Sequence, residues 1–263
     1  MDETNLRKLA ELLHGSGCVT RNGSMAFRWG GYNHRSYMAS ACKPVLVMIL
    51  LQAIRGGRIS SWDEPVAKFE PRLADLNAGL GYKGRQITWR NLATQTSCYG
   101  VREQPGQAFD YNDCQTALFA NTLLHNVFDA TPEDATERVL SPCLTNWLRC
   151  EDKPGFFAPE PRFCIGRLRI SPRDFCRIGL IVVRKGRWQE RQVIDKEQLR
   201  LIVNSPLPEH IAQDQGREGR DASRPAELRI RRQPGGPSGF LQLDVVGQRN
   251  RSGGAPPLAR CSA

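Results

Sequence analysis

Apolar residues recur at Leu6, Leu9, Leu12 and Leu13, a three-and-four spacing that draws one stripe along a helix. Gly15 can end that helix in a left-handed turn. Alternation then replaces the stripe: residues 17–20 and 24–29 flank Arg21-Asn22-Gly23, and Asn-Gly is the strongest two-residue hairpin signal. The next pattern is apolar on every side. Residues 45–51 contain no polar position, so a helix there belongs at the centre of the protein. Pro44 opens it, because proline is tolerated only in a first turn, and Gly56-Gly57 closes it near Arg55.

From about residue 60 to residue 164 strand signals fade, and short helices with polar loops take over, one of them beginning near Thr88. Helix starts return at Ser171-Pro172-Arg173-Asp174, read as a capping box, and at Asp195 with Gln198, before a stop near Asn204-Ser205-Pro206. Beyond residue 208 the chain is rich in Arg, Gly and Pro and holds one aromatic residue, too little to organise a core. Its only strand-like stretch is 240–246. The pattern divides into 1–59, an α/β part with the apolar helix; 60–164, a helical insertion; 165–208, a return to the α/β part; and 209–263, a tail of low order.

A length of 263 residues permits a sizeable core. The apolar run at 45–51 is far shorter than a membrane span, and the first helix lacks the apolar centre of a signal peptide, so the chain as written reads as cytoplasmic. A net charge of +10 raises nucleic acid as a partner. The basic residues are scattered, however, and the densest cluster is Arg229-Ile230-Arg231-Arg232, which leaves nucleic-acid binding a third reading. Nine cysteines without a C-x-x-C pair read as small buried hydrophobes in a reduced protein, with no metal and no cofactor expected.

Chemistry enters at Ser40-Ala41-Cys42-Lys43. Residues three apart share a helix face, so the Lys43 amine can take or steer the Ser40 proton. At a helix N-terminus the unpaired amides and the dipole favour negative charge developing on the serine or its adduct. Alone, the pair reads equally well as a serine cap beside a solvated lysine.

A second motif follows about seventy residues later, at Pro105-Gly106-Gln107-Ala108-Phe109-Asp110-Tyr111-Asn112-Asp113. In order and spacing the two resemble the β-lactamase-related serine hydrolases, which include class C β-lactamases, penicillin-binding D,D-peptidases and esterases. That family pairs S-x-x-K with a Y-x-N tyrosine motif. Residues 88–100 are similar to its H-T-S-G segment, with Gln95 in the histidine place, and residues 166–180 to its S-x-x-D-x-x-R-x-G-L helix. The resemblance covers roughly residues 5–208. It implies an antiparallel sheet flanked by helices with an inserted helical subdomain. It also implies that Ser40 attacks a carbonyl, that Tyr111 and Lys43 shuttle its proton, and that the Ser40 amide is one oxyanion donor. Asn112 and Asp113 become candidate supporting or substrate-binding residues. Asp113 departs from the asparagine of Y-x-N: it can accept or pair with Lys43 but not donate, which favours a small ester over a β-lactam or peptide amide. A helix cap is an equally good reading of Asp113.

The family's third motif, K-T-G or H-x-G on a late strand, is missing from this sequence, and with it the C-terminal strands of the sheet. Asp244-Val245-Val246-Gly247-Gln248 can be encoded so that a one-base shift reads Thr-Trp-Trp-Val, so the tail is a candidate for translation out of frame. The leading expectation is a serine hydrolase acting through an acyl-enzyme on a small-molecule or peptide substrate, weakened by loss of that motif. The alternative is a non-catalytic, penicillin-binding-like sensor on the same scaffold. Oligomeric state is not legible.

Overall fold

A computed structural model describes residues 2–157 and 166–204, together with the backbone of two short strands at 229–231 and 242–244. These divide into two compact units, one containing residues 1–32 with the end of the chain from 220, the other residues 33–219.

In the first unit, helix α1 (Glu3–Leu13) is capped by the Asp2 side chain, which accepts from the Thr4 amide. Its leucine stripe forms as read but buries nothing: Leu9, Leu12 and Leu13 are all exposed, Leu12 to 77 %. The hairpin forms with β1 (Gly17–Arg21) antiparallel to β2 (Ser24–Trp29). Asn22 and Gly23 both take positive φ, 53° and 85°, as a turn matched to strand twist requires. Gly17 is needed for a different reason. A Cβ there would stand 2.2 Å from the Trp29 ring across the ladder.

The second unit is built around α2 (Lys43–Arg55), whose residues 45–51 are all at most 6 % exposed. Pro44 lies in its first turn, and Gly56 and Gly57 close it, Gly57 at φ 71°. A 3₁₀ turn, Ala39–Cys42, leads into it. Helices α3 (Trp89–Ala93) and α4 (Asp113–Asn121) follow, then π-helical segments at Thr122–Val127 and Thr136–Thr145. Trp89, Phe119, Leu123, Val139 and Leu140 from these segments share one core with α2.

A three-stranded antiparallel sheet joins β3 (Ser36–Tyr37) to β5 (Arg167–Ile170), and β5 in turn to β4 (Gly155–Phe157). Pairing thus begins at residue 155, inside the stretch read as helical. Helix α5 (Pro172–Val183) is capped by Ser171, whose hydroxyl accepts from the Asp174 amide at 3.1 Å. The second half of the expected capping box is replaced. The buried Asp174 carboxylate instead accepts from the Glu151 and Asp152 amides at 2.9 and 2.7 Å, fastening the β4 approach to α5. A short ribbon, β6 (Arg187–Trp188) with β7 (Arg191–Gln192), precedes α6 (Lys196–Asn204).

The tail expected from 209 onward lies outside the described residues except for β8 (Arg229–Arg231) and β9 (Gln242–Asp244), which pair antiparallel. The second of these falls within the strand-like stretch at 240–246. Cysteine chemistry differs in one place from the reduced expectation: Cys114 is disulfide-bonded. Cys18, Cys42, Cys98, Cys143, Cys150 and Cys176 are thiols. Burial pushes Cys143 up to about 11 and Cys150 up to about 12, so both stay protonated and inert at neutral pH. No helix among the described residues is long and apolar enough to cross a membrane.

Candidate active site

Ser40 sits in the 3₁₀ turn that feeds α2, and its carbonyl accepts from the Lys43 amide. Ala39, just before it, is held at φ 42°, a left-handed conformation unfavourable for a residue with a Cβ. On the strand side of the turn, the Met38 amide donates to the Leu168 carbonyl at 3.1 Å, tying this corner to β5. The hydroxyl is therefore presented from a turn fixed at both ends.

Tyr111 arrives from a loop stapled from several directions. The Asp110 amide donates to the Gln95 carbonyl at 3.0 Å, and the Gly106 amide to the Thr96 carbonyl at 2.8 Å. Ser97, fully buried, donates to Gln115 Oε1 at 2.6 Å, and Gln115 Nε2 donates to the Asp110 carbonyl. Beneath the loop lies Lys83, 1 % exposed. Its ammonium donates to the carbonyls of Cys98, Val101 and Glu103 at 2.8, 2.5 and 2.7 Å. Burial pulls its pKa down, opposed by the nearby Cys98, Glu103 and Asp110 side chains.

At the meeting point the Tyr111 hydroxyl lies 2.6 Å from Ser40 Oγ and 2.7 Å from Lys43 Nζ. The Lys43 ammonium also stands 4.4 Å from the Tyr111 ring centroid. Three side chains from positions 40, 43 and 111 thus form one hydrogen-bonded chain, with Tyr111 38 % exposed to solvent. Such an arrangement can pass a proton from a hydroxyl to a phenol, with an ammonium to stabilise the phenolate. Ser40 and Lys43 are half-buried beside Tyr111; depressions of about 510 and 380 Å³ lie elsewhere, lined by residues such as Arg184 and Glu190, and by His34 and Glu151.

Asn112 and Asp113 are placed differently from one another. Asn112 caps α4, its Oδ1 accepting from the Gln115 amide at 2.8 Å, and its Nδ2 donates to Asp110 Oδ2 at 2.5 Å. The capping role considered for Asp113 therefore belongs to Asn112. Asp113 opens α4, is exposed, and forms no ion pair with Lys43. Gln95, in the histidine place, is buried at φ 59°, donating to the Leu92 carbonyl at 3.2 Å and leaving its Oε1 without a partner among the described residues. Its backbone carbonyl, which accepts from the Asp110 amide, ties it to the loop that delivers Tyr111. Lys83 was not singled out in the sequence, because a lone lysine in a polar stretch carries no sign of burial.

Among the described residues no cluster of three or more His, Cys, Asp or Glu could hold a metal ion. The chain shares its fold with several solved structures. A penicillin-binding protein from Bacillus halodurans is 14 % identical at a TM-score of 0.55, over 74 % of this chain and 76 % of that one. A β-lactamase/D-alanine carboxypeptidase from Pseudomonas syringae is 16 % identical at a TM-score of 0.55, over 75 % and 67 %. A Bacillus anthracis protein provisionally assigned as a 6-aminohexanoate-dimer hydrolase is 15 % identical at a TM-score of 0.59, over 76 % of this chain but only 62 % of that one. No curated protein matches the sequence. The Beta-lactamase family model matches residues 5–148, more than half of the 263, and the chain therefore belongs to the beta-lactamase family, with its β-lactamase/transpeptidase-like fold of helices and antiparallel sheets.

Proposed function

We propose that the chain is a serine hydrolase that works through an acyl-enzyme, with Ser40 as nucleophile, Tyr111 as its general base and Lys43 as the cation that stabilises the phenolate. The observation that carries this reading is the continuous contact from Ser40 Oγ to the Tyr111 hydroxyl to Lys43 Nζ, 2.6 and 2.7 Å. A serine hydroxyl is a weak nucleophile at neutral pH and needs such a base. In the reaction, the Ser40 oxygen bonds to the substrate carbonyl carbon as its proton passes to Tyr111. The proton then goes to the leaving alcohol or amine. Water, deprotonated by the same phenolate, releases the acyl group.

The substrate class is an ester, a β-lactam or a peptide amide. With the exposed Asp113 unable to donate a hydrogen bond, an activated ester is the best first substrate. Fluorophosphonate labelling followed by digestion should place one adduct on Ser40, and p-nitrophenyl ester turnover should disappear in Ser40→Ala. Labelling that persists in Ser40→Ala would sink the assignment. Stoichiometric labelling with no multiple turnover would favour a sensor over an enzyme.

A further inference from the structure

On the outer face of the β3–β5–β4 sheet, cationic and aromatic side chains alternate. Tyr37 pairs across the ladder with Arg169, and Phe157 with Arg167. Leu168 and Ile170 point the other way, into the core, so the period of two puts both arginines on the outer side. There the Tyr37 and Phe157 rings meet edge to face, with centroids 5.6 Å apart. Arg169 stacks 4.3 Å from the Phe157 centroid. Arg167 donates to the Tyr37 hydroxyl and lies 5.7 Å from its ring. Tyr37 is 47 % exposed and Arg169 is exposed.

The face borders the reaction centre. Tyr37 precedes Ser40 by three residues, and β5 is bonded to the nucleophile corner through Met38 and Leu168. The Tyr37 phenol is raised by burial, lowered by Arg167, and raised again by Cys42 and by Asp113, which stands two residues from Tyr111. The hydrogen bond from the Met38 amide to the Leu168 carbonyl joins this sheet to the turn that presents Ser40. The Asp113 carboxylate opens α4 and the Arg169 guanidinium stands on β5, so the two elements carry opposite charge. Arg169 forms no ion pair among the described residues, and its guanidinium stacks on the Phe157 ring in an exposed position.

We propose that this face binds the distal end of the acyl group, and that the end it selects is a carboxylate on an apolar spacer. The carboxylate would be held by Arg169 beside Arg167, with the spacer lying on Tyr37 and Phe157. Guanidinium forks match carboxylates in geometry, and the aromatic rings hold the cations in place before the ligand arrives, which reduces the entropy lost on binding. Asp113 would repel the same anion from the α4 side, so the polarity also sets the direction in which the substrate lies.

This inference rests on the hydrolase reading for where the acyl carbonyl sits, and the test separates the two. Ser40→Ala protein, which cannot turn over, is titrated calorimetrically with mono-p-nitrophenyl adipate and with p-nitrophenyl hexanoate, which differ by a carboxylate in place of a methyl group. The adipate ester should bind about five- to tenfold more tightly, and the margin should shrink with added salt. Adding Arg169→Met should collapse the preference towards unity, and Arg169→Lys should restore part of it. Equal affinity for the two esters, or a preference that survives Arg169→Met, would overturn the subsite. Loss of hydrolysis in the parent protein with the preference intact would overturn the hydrolase reading alone.

Discussion

The Tyr111 hydroxyl and Ser40 Oγ stand 2.6 Å apart, although 71 residues of chain separate them. At rest the phenol donates to the serine oxygen, since its other side already accepts from Lys43. Acylation needs the phenolate: the exposed phenol gives its proton to solvent, Lys43 stabilises the anion, and the serine proton then crosses the same short separation to it. Tyr111→Phe removes the proton path and little else, because the ring is 38 % exposed and its packing is unchanged. Ester hydrolysis should fall about 10²- to 10⁴-fold, while the thermal midpoint moves by no more than about 2 °C. Stopped-flow acylation and a melting curve on the same sample check both halves. A melting point that collapses together with activity would make Tyr111 structural.

Lys83 supports that tyrosine at one remove. Its ammonium satisfies three carbonyls of the 98–103 loop, and the chain then runs directly into the segment that delivers Tyr111. Lys83→Met keeps much of the volume but orphans those acceptors. Unsatisfied buried groups cost about 1–3 kcal/mol each, partly relieved by local movement, so a loss of about 2–4 kcal/mol is expected in urea denaturation. If Lys83 were filling space alone, methionine would hold stability within about 1 kcal/mol.

How far the molecule could be read in advance follows from the range of each signal. Pro44, Gly56 and the unbroken apolar run identified α2 because their effects act within a few residues. The hairpin around Asn22-Gly23 was legible for the same reason. At the site, Ser40 and Lys43 stood out by local spacing. Tyr111 depended on the resemblance to a family motif, since nothing local says that a tyrosine seventy residues away will approach a serine. Lys83, the Ser97–Gln115 bond and the diversion of the Asp174 carboxylate to residues 151 and 152 are long-range pairings of common residue types. The exposed α1 stripe shows the opposite failure, a correct periodicity with no described surface burying it.

Ala39 tests whether the nucleophile corner is strained. At φ 42° an alanine occupies a region that glycine enters freely. Ala39→Gly should therefore raise stability by about 0.5–1 kcal/mol, as glycine relieves the Cβ clash and gives back part of the gain as unfolded-state entropy. Turnover should fall at the same time, because the turn holding Ser40 gains alternative conformations. Urea midpoint and kcat measured together check this, and opposite signs are the expected outcome. Ala39→Val should lower both.

The junction between β4 and α5 should be the acid-sensitive part of the fold. Burial works to raise the Asp152 carboxyl, but hydrogen bonds from Arg173 and Ser171 outweigh it and hold the group below the usual carboxylate range. A carboxyl with a depressed folded-state pKa stabilises the protein above its unfolded value of about 4, and that stability is lost as the pH falls through the folded value. The urea midpoint should thus hold from pH 7 to about 5 and drop below about 4. Asp152→Asn, which keeps the shape but removes the charge facing Arg173, should lower the plateau by about 1.5–3 kcal/mol and flatten the acid limb. An unchanged acid limb in that variant would shift the sensitivity to other carboxylates held low by arginine, such as Glu70 beside Arg72.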